Sequence, residues 1–157
     1  MKISTRARYA MRFMIDLAAN GAGGPVILRD VARRQQISKR YLEQVAVTLR
    51  NANLVHSVQG RGGGYALPRP AKDIFVSEIM RATMGPINVV GCVVNPQICE
   101  RSKACPSRTL WQRVNESIRG VLESVTLAEL SEDGLSYINV DVRTAAPCSR
   151  SDTIEVT

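Results

Sequence analysis

The chain is short of the features on which most catalytic functions depend. Its 157 residues include one histidine, His56, and no pair of carboxylates close to a candidate nucleophile. Acid–base and nucleophilic catalysis need such groups within hydrogen-bond reach of one another, so the chain reads as a non-enzyme. It has no apolar run of about twenty residues, which argues against a membrane-spanning helix. The N-terminus carries Lys2, Arg6, Arg8 and Arg12 where a signal peptide would be apolar, so a cytoplasmic protein with no membrane partner is expected. The glycine-rich stretch Gly60-Arg61-Gly62-Gly63-Gly64 is not followed by Gly-Lys-Ser/Thr and joins two strand-like runs instead of opening a helix. That excludes a nucleotide-binding P-loop.

What is present is concentrated. The net charge of +7 divides into +7 over residues 1–50, +2 over 51–90 and −2 over 91–157. A basic excess confined to the front of a chain is the electrostatic footprint of nucleic-acid binding, because phosphate contacts release condensed counterions. The hydrophobic share of 45% supports a real core, in one domain or a small domain with an appendage.

Periodicity places the elements. Ser4 to Asn20 repeats Tyr9, Phe13 and Leu17, with Ala10, Met14 and Ala18, at helical spacing. Ser4 or Thr5 is the expected cap, and Gly21 to Pro25 ends the helix. Val26-Ile27 is a very short strand or an extended entry to the next helix. Leu28 to Gln35 forms that helix, with Leu28, Val31 and Ala32 inward. After the turn at Gln36-Ile37, Ser38 caps a third helix to about Asn51, with Leu42, Val45, Ala46 and Leu49 on its inner face. Two short helices joined by a tight turn, the second opening on polar and basic residues, form a helix-turn-helix. Leu54 to Val58 and Tyr65 to Leu67 then make a hairpin, the wing of a winged helix. Its glycines permit positive backbone dihedrals and a close approach to the DNA backbone. Arg61 at its tip suits a narrow minor groove.

Phe75 to Thr83 reads as a helix capped by Ser77, ended by Gly85-Pro86. From Thr109 to residue 131 a single amphipathic helix carries Trp111, Val114, Ile118, Leu122, Val125 and Leu130 on successive turns. Such a stripe outside the N-terminal bundle is most simply buried against its own copy in a homodimer; folding back onto the winged helix is the alternative. The expected fold class is mostly α with a small β-wing. The expected domains are a winged helix-turn-helix at 1–86, a cysteine-bearing loop at 87–108, a dimerisation helix at 109–131 and a polar, mobile tail at 132–157. Within the tail, Tyr137 to Val142 is a candidate short strand.

The expected DNA contacts are Arg6, Ser38, Lys39, Arg40, Tyr41, Glu43 and Gln44, with Gln59, Arg61, Gly62 and Gly63 from the wing. The helix residues read bases and phosphates in the major groove, with Glu43 accepting from cytosine N4. A dimer presenting two recognition helices one turn apart reads a palindromic operator in double-stranded DNA. Cys92, Cys99 and Cys105 are spaced C-x6-C-x5-C. In a reducing compartment such thiols are metal ligands or redox groups more often than disulfides. Their softness suits an iron–sulfur cluster or zinc.

The chain resembles the bacterial winged-helix regulators typified by IscR, NsrR and RirA. The likeness rests on Arg8-Tyr9-Ala10, Ile37-Ser38, Tyr41-Leu42-Glu43-Gln44, Gly62-Gly63-Gly64-Tyr65, the three cysteines and Leu110-Trp111. It spans residues 1 to about 130. It implies a homodimeric transcription factor whose three cysteines ligate an iron–sulfur cluster, four-iron four-sulfur in preference to two-iron two-sulfur, and a labile cluster of the RirA kind. In IscR-type regulators a histidine three residues past the last cysteine completes the ligand set; Arg108 stands there. NsrR-type regulators use an aspartate of the partner's first helix; Arg8 stands there. Members with a carboxylate and a histidine in that helix are not matched, since Arg8 and Arg12 occupy it. The fourth ligand is left open between Cys148, a carboxylate, water or a small thiol, and none. A cluster-free regulator acting by thiol redox, zinc or metabolite binding is the alternative.

Overall fold

The computed structural model describes residues 2–102 and 104–132; Cys148 and the strand expected near residue 140 lie outside these residues. Seven helices and a two-stranded antiparallel sheet make up the described chain. Helix α1 spans Thr5–Asn20, α2 Leu28–Gln35 and α3 Lys39–Asn51. Strands β1 (His56–Val58) and β2 (Gly64–Ala66) form the wing, with Ser57 opposite Tyr65. Helix α4 is Val76–Met84, α5 the single turn Gly91–Val94, α6 Pro106–Ser124 and α7 Leu127–Glu132. The winged-helix class is what the periodicity and the turn chemistry predicted.

The first three helices start and stop for local reasons. Ser4 Oγ accepts from the Ala7 N–H at 3.1 Å, and Ser38 Oγ from the Tyr41 N–H at 3.3 Å. Each satisfies a donor that the first helical turn leaves without a partner. Gln36 closes α2 in the left-handed region at φ 52°, and this tight reversal sets α3 across α2. Phe13, Met14 and Leu17 of α1 meet Val31, Leu42, Val45 and Leu49 in one buried cluster. Each large side chain buried there contributes roughly 1.5–3 kcal/mol.

A polar clamp fixes α1 to the last turn of α2. The Asp16 carboxylate is buried, and Arg34 donates to it from Nη2 at 2.5 Å and Nε at 3.0 Å, with Gln35 Nε2 also at 3.0 Å. Arg12 donates to the Gln35 side chain and backbone carbonyl. A buried charge persists when it is paired and hydrogen-bonded in this way.

The wing is tied down at its root. Val26 and Tyr65 exchange backbone hydrogen bonds of 2.8 and 2.9 Å, so Val26 is an extended bridge to the wing. The Tyr65 ring meets Phe13 edge-on at 5.7 Å. Among the wing glycines, Gly62 has φ 83° and open space around it, as the turn requires. Gly63 and Gly64 also have a role within the fold. A Cβ on Gly64 would lie 2.3 Å from the Val26 carbonyl oxygen, and one on Gly63 2.3 Å from that of Val58. Gly63 is small so that the hairpin can close on its own backbone, and Gly64 so that β2 can lie against the Val26 bridge.

Two expectations need correction. Ser77 does not cap α4: it lies inside the helix and is buried, while Phe75 is the N-cap residue and its N–H donates to Glu78 Oε1 at 3.0 Å. The helix expected over 109–131 starts earlier, at Pro106, and breaks after Ser124. Val125 is extended, and Thr126 opens α7 by a capping box: its N–H donates to Glu129 Oε2 at 2.6 Å, and Glu129 N–H returns a bond to Thr126 Oγ1 at 3.3 Å. Helix α7 then turns back onto α1 and buries Leu127 completely. Its start is bonded to α4's, with Val76 N–H donating to Val125 O and Leu127 N–H to Ile74 O.

Candidate nucleic-acid interface and cysteine loop

Helix α3 presents its N-terminal side chains outward. Ser38, Lys39, Arg40, Glu43 and Gln44 are exposed and Tyr41 is half-buried, its ring edge-on to Tyr9 at 5.4 Å. Ser38 accepts the cap bond, which leaves its hydroxyl proton available for a ligand. Lys39 Nζ lies 3.4 Å from Glu43 Oε1, so the acidic residue on this surface is held beside a basic one. Arg6, Gln59, Arg61 and Gly62 are exposed and Gly63 is half-buried. Arg6, Arg40 and Arg61 have no ion-pair partner among the described residues, whereas Arg34 and Arg69 do. The exposed cations are the ones free to meet phosphates. His56 is exposed on β1.

The three cysteines stand on one loop between the winged helix and α6. Cys92 is on α5, Cys99 follows the short turn Pro96–Ile98, and Cys105 is the N-cap residue of α6. All three are free thiols and half-buried. Ser107 Oγ lies 3.1 Å from Cys105 Sγ. That hydroxyl, then the Arg108 N–H, with Ser107 N–H and the charge of Arg101 adding, hold the Cys105 thiol below its ordinary range, against a smaller effect of burial. A lowered thiol offers more thiolate, the form that ligates metals and attacks electrophiles.

The first part of the loop is pinned to α6 at two points. Arg108 Nε donates to the Cys92 carbonyl at 3.3 Å. Asn115, buried on α6, accepts from the Val89 N–H at 3.2 Å. Arg108 thus stands at the place of the resemblance's histidine ligand and holds loop backbone instead. Among the described residues no three His, Cys, Asp or Glu side chains are grouped to hold a metal ion. The donor set fits a thiolate-ligated group in kind and exposure, and the loop must draw its thiols together to hold one.

Helix α6 is thinly covered. Asn115 is the buried residue of this helix; Trp111, Val114, Ile118 and Leu122 stay half-buried, and Leu110 and Val121 are exposed. Leu122, Val125 and Leu130 do pack on Ala7, Val76 and Met80, so part of the expected dimerisation stripe is already used within the chain. An apolar groove of about 310 Å³ lies beside it, between Ile3, Met11, Met80 and Val121.

Sequence reasoning missed Asp16 and Asn115. Asp16 was legible as a lone carboxylate on an otherwise apolar face of α1; Asn115 left no comparable signal. No helix among the described residues is long and apolar enough to cross a membrane.

Comparison with known proteins agrees with this architecture. Residues 3–133 match the family model Rrf2, described as iron-dependent transcriptional regulator. The regulator IscR of Serratia proteamaculans is 37% identical over 153 residues, covering 98% of this chain and 89% of that protein. The structure of CymR, the global cysteine regulator of B. subtilis, superposes with a TM-score of 0.72 at 38% identity, over 84% of this chain and 97% of that one. The structure of T. potens IscR gives 0.69 at 38% identity, over 85% and 88%. The chain belongs to the Rrf2 family and is a DNA-binding transcriptional regulator.

Proposed function

We propose that this regulator is a cytoplasmic homodimer that binds a palindromic operator, and that an iron–sulfur cluster held by Cys92, Cys99 and Cys105 controls its affinity. The observation that carries this reading is the position of the thiols. Three free, half-buried cysteines sit on the one loop that joins the winged helix to α6. Drawing them together changes how the loop restrains α6, through the Asn115–Val89 and Arg108–Cys92 bonds. When bound, a cluster supplies sensitivity to iron supply, oxygen or nitric oxide; the four-iron form is favoured. Trp111, Val114 and Ile118, left half-covered within one chain, are the residues that a second copy would bury, with Leu122 and Val125 at the edge of that contact.

The DNA side of the reading rests on Arg6, Lys39, Arg40 and Arg61 as phosphate contacts, and on Ser38, Tyr41, Glu43 and Gln44 as the reading surface, with Gln59, Gly62 and Gly63 bringing the wing to the backbone. Coupling between the loop and this surface is a free-energy difference between two bound states. Anaerobic reconstitution with iron and sulfide, followed by absorbance and Mössbauer spectra, is the test. Cluster uptake is expected in the native chain and not in a triple Cys→Ala variant; equal uptake by that variant would refute the ligand assignment.

A second reading is a cluster-free regulator acting by thiol redox, zinc or metabolite binding. The lowered Cys105 thiol and the comparable likeness to Staphylococcus aureus CymR in its oxidized form favour its redox form.

A further inference from the structure

A cleft of about 240 Å³ opens between α4, the segment that follows it, and α6. Ile87, Asn88 and Val94 of the cysteine loop form part of its wall, but none of the thiols does. Its walls divide by chemistry. Pro86, Ile87, Val94 and Leu122 make an apolar side; Arg81 and Arg119 bring two cations, and Ser77, Asn88 and Asn115 bring neutral polar groups. One carboxylate, Glu123, also lines it, 3.4 Å from Arg119 Nη2. Arg81 has no ion-pair partner among the described residues.

Two of the polar side chains are more than nine-tenths buried: Ser77 at 8% exposure and Asn115 at 6%. The Asn115 carbonyl oxygen is committed to the Val89 N–H, which fixes the amide orientation and leaves Nδ2 as the donor without a partner. Ser77 Oγ forms no hydrogen bond with the described residues; as the second residue of α4 it has no preceding helical turn to bond to. Neither polar atom is sealed from solvent, and both residues line the cleft. Water can meet both donors in the free protein, and a ligand that takes them must replace those hydrogen bonds.

We propose that this cleft is a binding site for a small monocarboxylate with a short apolar tail. The carboxylate would lie between the Arg81 guanidinium, Ser77 Oγ and Asn115 Nδ2, with the tail against Ile87, Val94 and Leu122. The volume is below the roughly 300–1,000 Å³ of pockets for drug-sized ligands, which limits the occupant to a few carbons. A ligand here bridges α4 of the winged helix and α6, and Asn115 would hold the ligand and the root of the cysteine loop together. The site uses none of the thiols, although Val94 and the Val89–Asn115 bond tie its shape to the cysteine loop.

The test is a titration of the ¹⁵N-labelled full chain with acetate, butyrate and hexanoate at constant ionic strength, with chloride and inorganic phosphate as controls. Saturable shifts of the Asn115 side-chain amide and the Val89 N–H are expected, with butyrate binding more tightly than acetate. Arg81→Met should weaken butyrate binding by about tenfold or more, the scale of a lost hydrogen bond to a charged group. Ser77→Ala, which removes only a hydroxyl, should weaken it by a smaller factor. Shifts no larger than those with chloride, equal binding of phosphate, or an unchanged affinity in both folded variants would overturn the proposal.

Discussion

Replacing Gly64 by alanine tests whether the wing is rooted as described. The new Cβ would stand 2.3 Å from the Val26 carbonyl oxygen, 2.6 Å from its carbon and 3.0 Å from the Ile27 nitrogen. All three are backbone atoms, so no rotamer change relieves the clash, and the strands must separate by roughly 1 Å to reach ordinary contact distance. That movement breaks the two Val26–Tyr65 hydrogen bonds, worth about 1 kcal/mol each net. Residual overpacking adds about 1–3 kcal/mol. Against this, alanine restricts the unfolded chain and returns about 0.4–1 kcal/mol. The balance is a loss of about 2–5 kcal/mol, a large share of the roughly 5–15 kcal/mol typical of a domain. Urea unfolding followed by circular dichroism measures it, and the edge-on Tyr65–Phe13 contact should loosen in the same variant. Stability within about 0.5 kcal/mol of the parent, the ordinary range for a harmless surface change, would refute the reasoning.

Two further outcomes follow from other parts of the molecule. Glu43→Ala should relax sequence preference with little loss of overall affinity, since Glu43 is exposed beside Lys39 and a good base contact discriminates by roughly 1–3 kcal/mol; unchanged preference across a library of operator sites would contradict its reading role. Burial raises the Glu78 carboxyl, but the Arg69 hydrogen bond, the Phe75 N–H and the charges of Arg69 and Arg81 together hold it below its ordinary 4.5. A carboxyl lowered on folding contributes stability that is present above its ordinary value and lost as pH falls through the folded one. The stabilities of the parent and Glu78→Gln should therefore converge in acid; a gap as wide at pH 3 as at pH 7 would show that the charge has no such role.

The cysteine loop and the wing mark how far residue patterns carry. Spacing alone put Cys92, Cys99 and Cys105 on one loop, because fourteen residues cannot scatter far. It could not say that Arg108 ties to the Cys92 carbonyl, which depends on how α6 lies against α5. The Thr126–Glu129 capping box was readable as Thr-x-x-Glu, yet the apolar stripe on either side of it read as one helix. An apolar period records which face is buried and not what buries it, so Leu127 fits a long helix as well as it fits the core beneath α1.

The sequence by itself determined the helix-turn-helix, the hairpin wing and the concentration of charge at the front. Each of these follows from local rules: a cap at Ser4 and Ser38, a turn at Gln36, glycines between two short apolar runs. Only the tertiary structure decided which glycines serve the hairpin's own closure, that Asp16 clamps α1 to α2, and that Asn115 and Ser77 face a common cleft. Those facts depend on distances between residues far apart in the chain, such as the 26 positions between Val89 and Asn115, and no local propensity encodes them.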